Sequence, residues 1–160
     1  MFNRRVLGLA LVAVVIAGCA SVPTPVSVAD TIAQNPSLST FNGLITQAGL
    51  SATLQGAGLF TVFAPSNDAF KLLPPKTMED LVKNPEKLKS VLAFHIIAGK
   101  LMAAQVKNSS VKTLNDTNVA LSKAGDFVTI EDAMVQKTDI QASNGVIHII
   151  DSVLIPPHKK

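Results

Sequence analysis

Ser66, Asp68 and His95 are the residue types of a nucleophile, an orienting acid and a general base, and on paper they compose the set that acyl transfer uses. The surroundings argue otherwise. No Gly-x-Ser-x-Gly elbow encloses a serine, and without such a turn nothing lifts the hydroxyl out of its strand. Metal chemistry would need grouped ligands, but the histidines fall at 95, 148 and 158, without the i, i+4 spacing that sets a zinc pair on one helix face. No glycine-rich loop that could cradle a phosphate occurs. The residues therefore point to a non-catalytic chain with no cofactor and no metal.

Cys19 is the only cysteine, so it has no partner for an internal disulfide. It stands behind a leader in which Arg4 and Arg5 precede the apolar run Val6–Gly18, a pattern that suits a secretory signal and is too short to span a bilayer. Ile16-Ala17-Gly18-Cys19 resembles the lipobox of bacterial lipoproteins. The resemblance implies cleavage after Gly18 and a lipid on the Cys19 thiol, with the membrane as one partner. Ala20 replaces the Asp that often retains lipoproteins at an inner membrane, so an outer-membrane or periplasmic place in the bacterial cell envelope is expected. Residues 19–27 then form the lipidated end and an extended tether, in which Pro23 and Pro25 disfavour regular structure. At roughly 3 Å per residue, Ala20–Val26 holds the domain about 20 Å from the surface.

The formal charge of +3 and the pI near 9.1 owe much to Arg4 and Arg5. Without them, basic and acidic side chains nearly balance, and residues 157–160 keep only a small basic tail. The seven aromatics are all Phe and interleave with no Lys/Arg cluster, so nucleic acid is not an expected partner. Asn108-Ser109-Ser110 and Asn115-Asp116-Thr117 match the glycosylation acceptor pattern, which carries little weight behind a bacterial leader.

The elements that must position these residues follow from periodicity. Phe41, Leu44, Ile45 and Ala48 mark one helix face, with Ser39 or Thr40 as its cap and Gly49 as its end. Phe60–Ala64 reads as a strand stopped by Pro65, after which Ser66 caps a short helix carrying Asp68 and Phe70. Asn84-Pro85-Glu86 opens a further helix, with Asn84 as cap and with Leu88, Val91, Leu92 and His95 inward. Beyond Gly99 the pattern becomes strands at Val119–Ser122, Phe127–Glu131, Val135–Thr138 and Val146–Ile150. Turns fall at Gly125-Asp126 and at Asn144-Gly145, the latter expected to supply positive φ. Parity puts His148 on the face of Val146 and Ile150, as a packed side chain. Helices first and strands later predict an α+β domain over 28–156.

Three segments in this order resemble the fasciclin-like family. Thr61-Val62-Phe63-Ala64-Pro65-Ser66-Asn67-Asp68-Ala69-Phe70 is similar to its first signature and Phe94-His95-Ile96-Ile97 to its central Tyr-His segment. Ala142-Ser143-Asn144-Gly145-Val146-Ile147-His148-Ile149-Ile150-Asp151, followed by Val153-Leu154-Ile155-Pro156, is similar to its second signature. Phe94 stands where many members carry Tyr, so an adhesion role credited to that hydroxyl does not transfer. The resemblance implies a fasciclin-like fold, helices of the first half packed on a short-stranded β-sheet wedge from the second half. It also implies that Asp68, Phe70, His95, Asn144, Gly145, His148 and Asp151 hold that core. The function it implies is a membrane-anchored binding or adhesion module meeting an envelope or extracellular protein or polysaccharide. The alternative is an envelope carrier or sensor for a small apolar ligand held between helices and sheet.

Overall fold

The computed structural model describes residues 26–157. The leader, Cys19 and the tail beyond Pro157 lie outside them, and so does most of the tether. The helices of the first half are α1 (Val28–Ala33), α2 (Ser39–Gln47), α3 (Ser51–Gln55), α4 (Asn67–Lys71), α5 (Pro75–Lys83) and α6 (Pro85–Phe94). Among them lies β1 (Phe60–Pro65). After α6 come β2 (Ile96–Ala98), β3 (Ser109–Lys112), β4 (Asn118–Ala124), β5 (Phe127–Ile130), β6 (Ala133–Ala142) and β7 (Gly145–Ile150). The fold is α+β, with these strands in one sheet of order β2-β1-β7-β6-β5-β4-β3.

The central pair sets the architecture. β1 runs parallel to β7, Val62 beside Ile147 and Phe63 beside His148, and the other paired strands are antiparallel. Both strands are buried on both faces, which is why they read as continuous apolar runs. Val62, Ala64, Ile147 and Ile149 face the helices, where Val28, Ile32, Phe41, Leu54, Leu88 and Leu92 cover them. Phe63 and Ile150 face the other way, into a second core with Val119, Leu121, Val128, Ile130 and Leu154. The sheet curls far enough for its two outer strands to meet, through the Ile97–Thr113 bridge and the Leu114 N–H bond to Ile96 O at 2.9 Å. That closure encloses the second core.

Local chemistry accounts for most boundaries, with corrections. Gly49 ends α2 at φ +70°. Leu50 N–H reaches Ile45 O at 3.0 Å and Gly49 N–H reaches Thr46 O at 3.1 Å, the paired bonds of a glycine-terminated helix. The start of α2 is not capped by Ser39 or Thr40, because a 3₁₀ turn, Pro36–Leu38, runs directly into the helix. Asn67, from the next signature, supplies the cap. Its Oδ1 accepts from Thr40 N–H at 3.0 Å, and its amide donates to Pro36 O at 2.9 Å. Asn84 makes no side-chain cap for α6 either; its amide turns back to Asp80 O at 2.8 Å and closes α5, leaving Pro85 to start α6.

The Asn144-Gly145 turn also differs from expectation. Neither residue is among those with positive φ, which are Gly49, Gly99, Gly125, Asp116, Glu131 and Asp139. Gly145 is needed for space. A Cβ there would stand 2.9 Å from Val28 Cγ2 and 3.0 Å from Phe60 C, and closer still to Phe60 O. Gly145→Ala must push β1 away from β7 and is expected to cost about 1–3 kcal/mol or more. Urea denaturation beside Gly125→Ala, whose added Cβ meets open space, separates crowding from backbone strain.

Candidate functional site

The three motif segments lie side by side as β2, β1 and β7. Phe63 N–H donates to His95 O at 2.9 Å, tying the first segment to the second, and Phe60 N–H donates to Asn144 O at 3.0 Å, tying it to the third. Asn144 does more than turn the chain. Its Oδ1 accepts from Val28 N–H at 2.7 Å, and its amide donates to Leu54 O at 2.7 Å and Gly56 O at 3.1 Å. One side chain thus satisfies the start of α1 and the end of α3, both of which leave backbone groups unpaired.

His95 caps α6 and is 1% exposed. Its Nδ1–H donates to Val91 O at 2.8 Å, and its Nε2 accepts from Leu154 N–H at 3.0 Å. These partners fix a neutral ring with the proton on Nδ1. Burial lowers its pKa from 6.5 to about 4, against the opposing pull of the Val91 carbonyl. His148, also 1% exposed, holds the other tautomer. Its Nδ1 accepts from Asp139 N–H at 3.2 Å, its Nε2–H donates to Leu101 O at 2.9 Å, and its ring stacks on Phe63. Burial lowers this pKa as well, with the Leu101 carbonyl and Asp139 opposing.

Phe70 packs into the helix-side core. Asp151 accepts from Met134 N–H at 2.9 Å through Oδ1, while its own N–H donates to Met134 O at 3.1 Å, closing one end of the β6–β7 pair. Asp68 departs from expectation. Its side chain is 82% exposed and pairs with Lys71 at 2.7 Å, because Ser66 takes the capping bond from Ala69 N–H. Asp68 is surface, and the residue of that segment that reaches other elements is Asn67. Ser66, Asp68 and His95 are not brought together: each is bonded within its own surroundings.

Sequence reasoning missed Thr61 and Asp139. Thr61 Oγ1 donates to Gly99 O at 2.7 Å and accepts from Leu101 N–H at 2.8 Å. Asp139, at φ +57° in an irregular stretch of β6, accepts from Ala103 N–H at 2.8 Å. With His148 they hold the crossing 99–103 against the sheet. A left-handed Asp in a strand pattern carries no local mark beyond its polarity among apolar neighbours.

The surface offers two features. A groove of about 520 Å³ runs between α5–α6 and residues 155–157, with Asp80, Glu86 and Lys87 among its walls. The outer face of β4–β6 carries Ala120, Ser122, Ala124, Phe127, Thr129 and Met134, where strand parity and pairing set them together. Phe127 is 66% exposed and Met134 46%. The Lys112–Asp116 ion pair sits at the β3 side of this face.

This sheet, its helical cover and the adjacent motif strands define a fasciclin domain. The sequence profile of that domain matches residues 36–156, and the chain belongs to the fasciclin family. It is 38% identical over 140 residues to the protein sll1483 of Synechocystis, covering 86% of this chain and 78% of that one. It is 35% identical to the immunogenic protein MPB70 of Mycobacterium bovis, over 83% of this chain and 69% of the relative. Transforming growth factor-beta-induced protein ig-h3 of Sus scrofa is 37% identical over 76% of this chain, which spans only 18% of ig-h3. Among solved structures, a FAS1 domain pair from the insect cell adhesion molecule fasciclin I superposes with a TM-score of 0.66 at 19% identity, over 82% of this chain and 51% of that one; this likeness is one of fold.

Both histidines are held neutral, so stability is fully present above the unfolded pKa near 6.5 and is lost as pH falls. For His95 the loss runs from about 6.5 down to about 4, and His148 acts in the same direction. His95 alone is expected to withdraw about 3 kcal/mol once pH has passed below its folded pKa. His95→Ala should cost about 2–4 kcal/mol at pH 7, through lost packing and unpaired Val91 and Leu154 groups. The variant should also lose that share of the acid dependence. Urea titrations of both proteins at pH 7 and 3.5 measure both quantities; equal stability at pH 7 would assign His95 a role outside the fold.

Proposed function

We propose that the protein is a non-catalytic binding and adhesion module of the bacterial cell envelope, held at a membrane by a lipid on Cys19. The observation that carries the binding part is the patch around Phe127 and Met134 on the outer face of β4–β6, with Glu131, Lys137 and the Lys112–Asp116 pair beyond it. Exposed Phe127 and Met134 stand there among small side chains, the composition of an interface core with its charges at the rim. Leu72 is more exposed but stands singly in the link between α4 and α5, and a lone apolar side chain needs no partner. The adhesion molecule whose fold this chain shares supports the same reading by analogy. A carrier role has less support, because the space between helices and sheet is filled by Val28, Ile32, Phe41 and Leu54. The candidate acyl-transfer residues are likewise committed elsewhere: both ring nitrogens of His95 are taken by backbone groups.

Ile16-Ala17-Gly18-Cys19 behind a charged, apolar leader supports the anchor. Acyl chains contribute roughly 0.8 kcal/mol per buried CH₂, so more than one holds a protein essentially permanently. Cys19→Ser is expected to stall processing or move the protein from the detergent phase to the aqueous phase; unchanged partitioning would remove the anchor. For the partner, the soluble chain from Ser21 onward is expected to bind isolated envelope sheets saturably, and Phe127→Asp to weaken that binding at least tenfold with an unchanged melting temperature. Protease treatment of the sheets should abolish binding if the partner is a protein, and glycosidase treatment if it is a polysaccharide. Undiminished binding by Phe127→Asp would exclude this face.

A further inference from the structure

We infer that the loop Gln55–Leu59 rests against the lipid surface in the anchored protein, with Leu59 entering the interface. The inference rests on the proposed lipidation of Cys19. The chain that leads from Cys19 enters the described structure at Val26, whose carbonyl accepts from Ser143 N–H at 2.8 Å. The same end of the domain holds the loop. Asn144, beside Ser143, donates to Leu54 O and Gly56 O, and Gly99 N–H donates to Leu59 O at 2.7 Å.

The steps from Cys19 to Val26 span at most about 25 Å, at roughly 3.5 Å per residue. This end therefore stays within that distance of the bilayer, whatever path the tether takes. What it presents suits a lipid interface. Ala57, Gly58 and Leu59 are exposed and uncharged, and Leu59 is 54% exposed. Lys100, exposed beside Gly99, is a cation with a long apolar stem, able to reach anionic headgroups. Of the nearby carboxylates, Asp30 accepts from Ser27 Oγ–H at 2.7 Å and Asp139 from Ala103 N–H at 2.8 Å. A single leucine would bind a membrane weakly from solution. In a tethered domain the local lipid concentration is high, and a weak contact suffices to orient it. The opposite end is marked by β1, which carries the chain about 17 Å away from Phe60 before α4 and Asp68.

The test uses the full chain, purified with its lipid and reconstituted into phosphatidylethanolamine–phosphatidylglycerol vesicles bearing a headgroup nitroxide. The Cys19 sulfur is consumed by the lipid as a thioether, so Ala57→Cys and Asp68→Cys each present one free thiol for a fluorophore. The Ala57 probe is expected to be quenched at least threefold more than the Asp68 probe, and Leu59→Asp to abolish most of that difference while the protein still floats with the vesicles. Equal quenching at the two ends overturns the inference and leaves the anchor standing. A difference that persists in Leu59→Asp also overturns it, since tether length alone would then account for it. A mature chain whose mass shows no acyl group, and which does not float, overturns both the anchor and the contact.

Discussion

The structure depends on one close approach: β1 and β7 running parallel with Gly145 against Phe60. Parallel neighbours cannot be joined by a hairpin, so everything from Ser66 to Asn144 forms the connection between them. That connection must return the chain to the place where it left. Asn144 fixes the place. Its side chain binds the start of α1 and the end of α3, its carbonyl binds β1, and the glycine that follows removes the Cβ that would hold the strands apart. Three elements from the first half of the chain are thereby registered on the last strand by two consecutive residues.

A central pair buried on both faces has a second consequence. Every polar group placed there must find a partner inside, because water cannot serve it. Among the described residues, each buried side-chain nitrogen and oxygen has one. The two histidines show how. His95 lies where a helix ends, and spends its ring on a carbonyl of that helix and an amide of the segment leaving β7. His148 lies on β7 itself, and spends its ring on the crossing 99–103 and the distorted stretch of β6. Their tautomers are opposite because their backbone partners are opposite. A ring with both nitrogens so engaged has no free lone pair for proton transfer, so the polar chemistry of the interior goes into holding the fold.

What the sequence made legible follows this division. Phe60–Ala64, Val146–Ile150 and the α6 face are long apolar patterns, and burial made them so. The end of α2 at Gly49 was legible because the left-handed position is a local demand. β2 and β3 were not anticipated: each is three or four residues long, too short for a period to show, and formed by the partner it meets. α5 was not anticipated either, although Met78, Leu81 and Val82 share one of its faces and Met78 packs on the core beside buried Leu81. The misread residues share another cause. Thr40 is capped from Asn67, and Asp68 is left outside because Ser66 had already met the helix end. Such exchanges span many residues, and residue type shows that a bond is wanted without showing where its partner lies. Gly145 was marked as a turn glycine by its neighbour Asn144, whereas its requirement comes from Phe60, far away in sequence.

The closure of the sheet explains why its outer face remains the available one. Curling brings Ile97 to Thr113 and draws one face of β3–β6 inward around Val119, Leu121, Val128 and Ile130. A strand alternates its side chains, so the same residues that fill this core dictate which neighbours stand outside. The helices cannot cover them. They pack over β1 and β7, on the side of Val62, Ala64, Ile147 and Ile149, and stop short of the curled strands β4–β6, while the crossing 99–103 is tied to Thr61, His148 and Asp139 on the inner side. Glu131 supports the arrangement from the rim, with a carboxylate and an N–H both bonded to Ala120 across the β4–β5 pair. This rigid, curled platform is backed by a packed core, and its exposed positions are free of the interior's packing demands. Their side chains can therefore vary without unfolding the domain, and Phe127 and Met134, which contribute little to either core, are open to being used in contact.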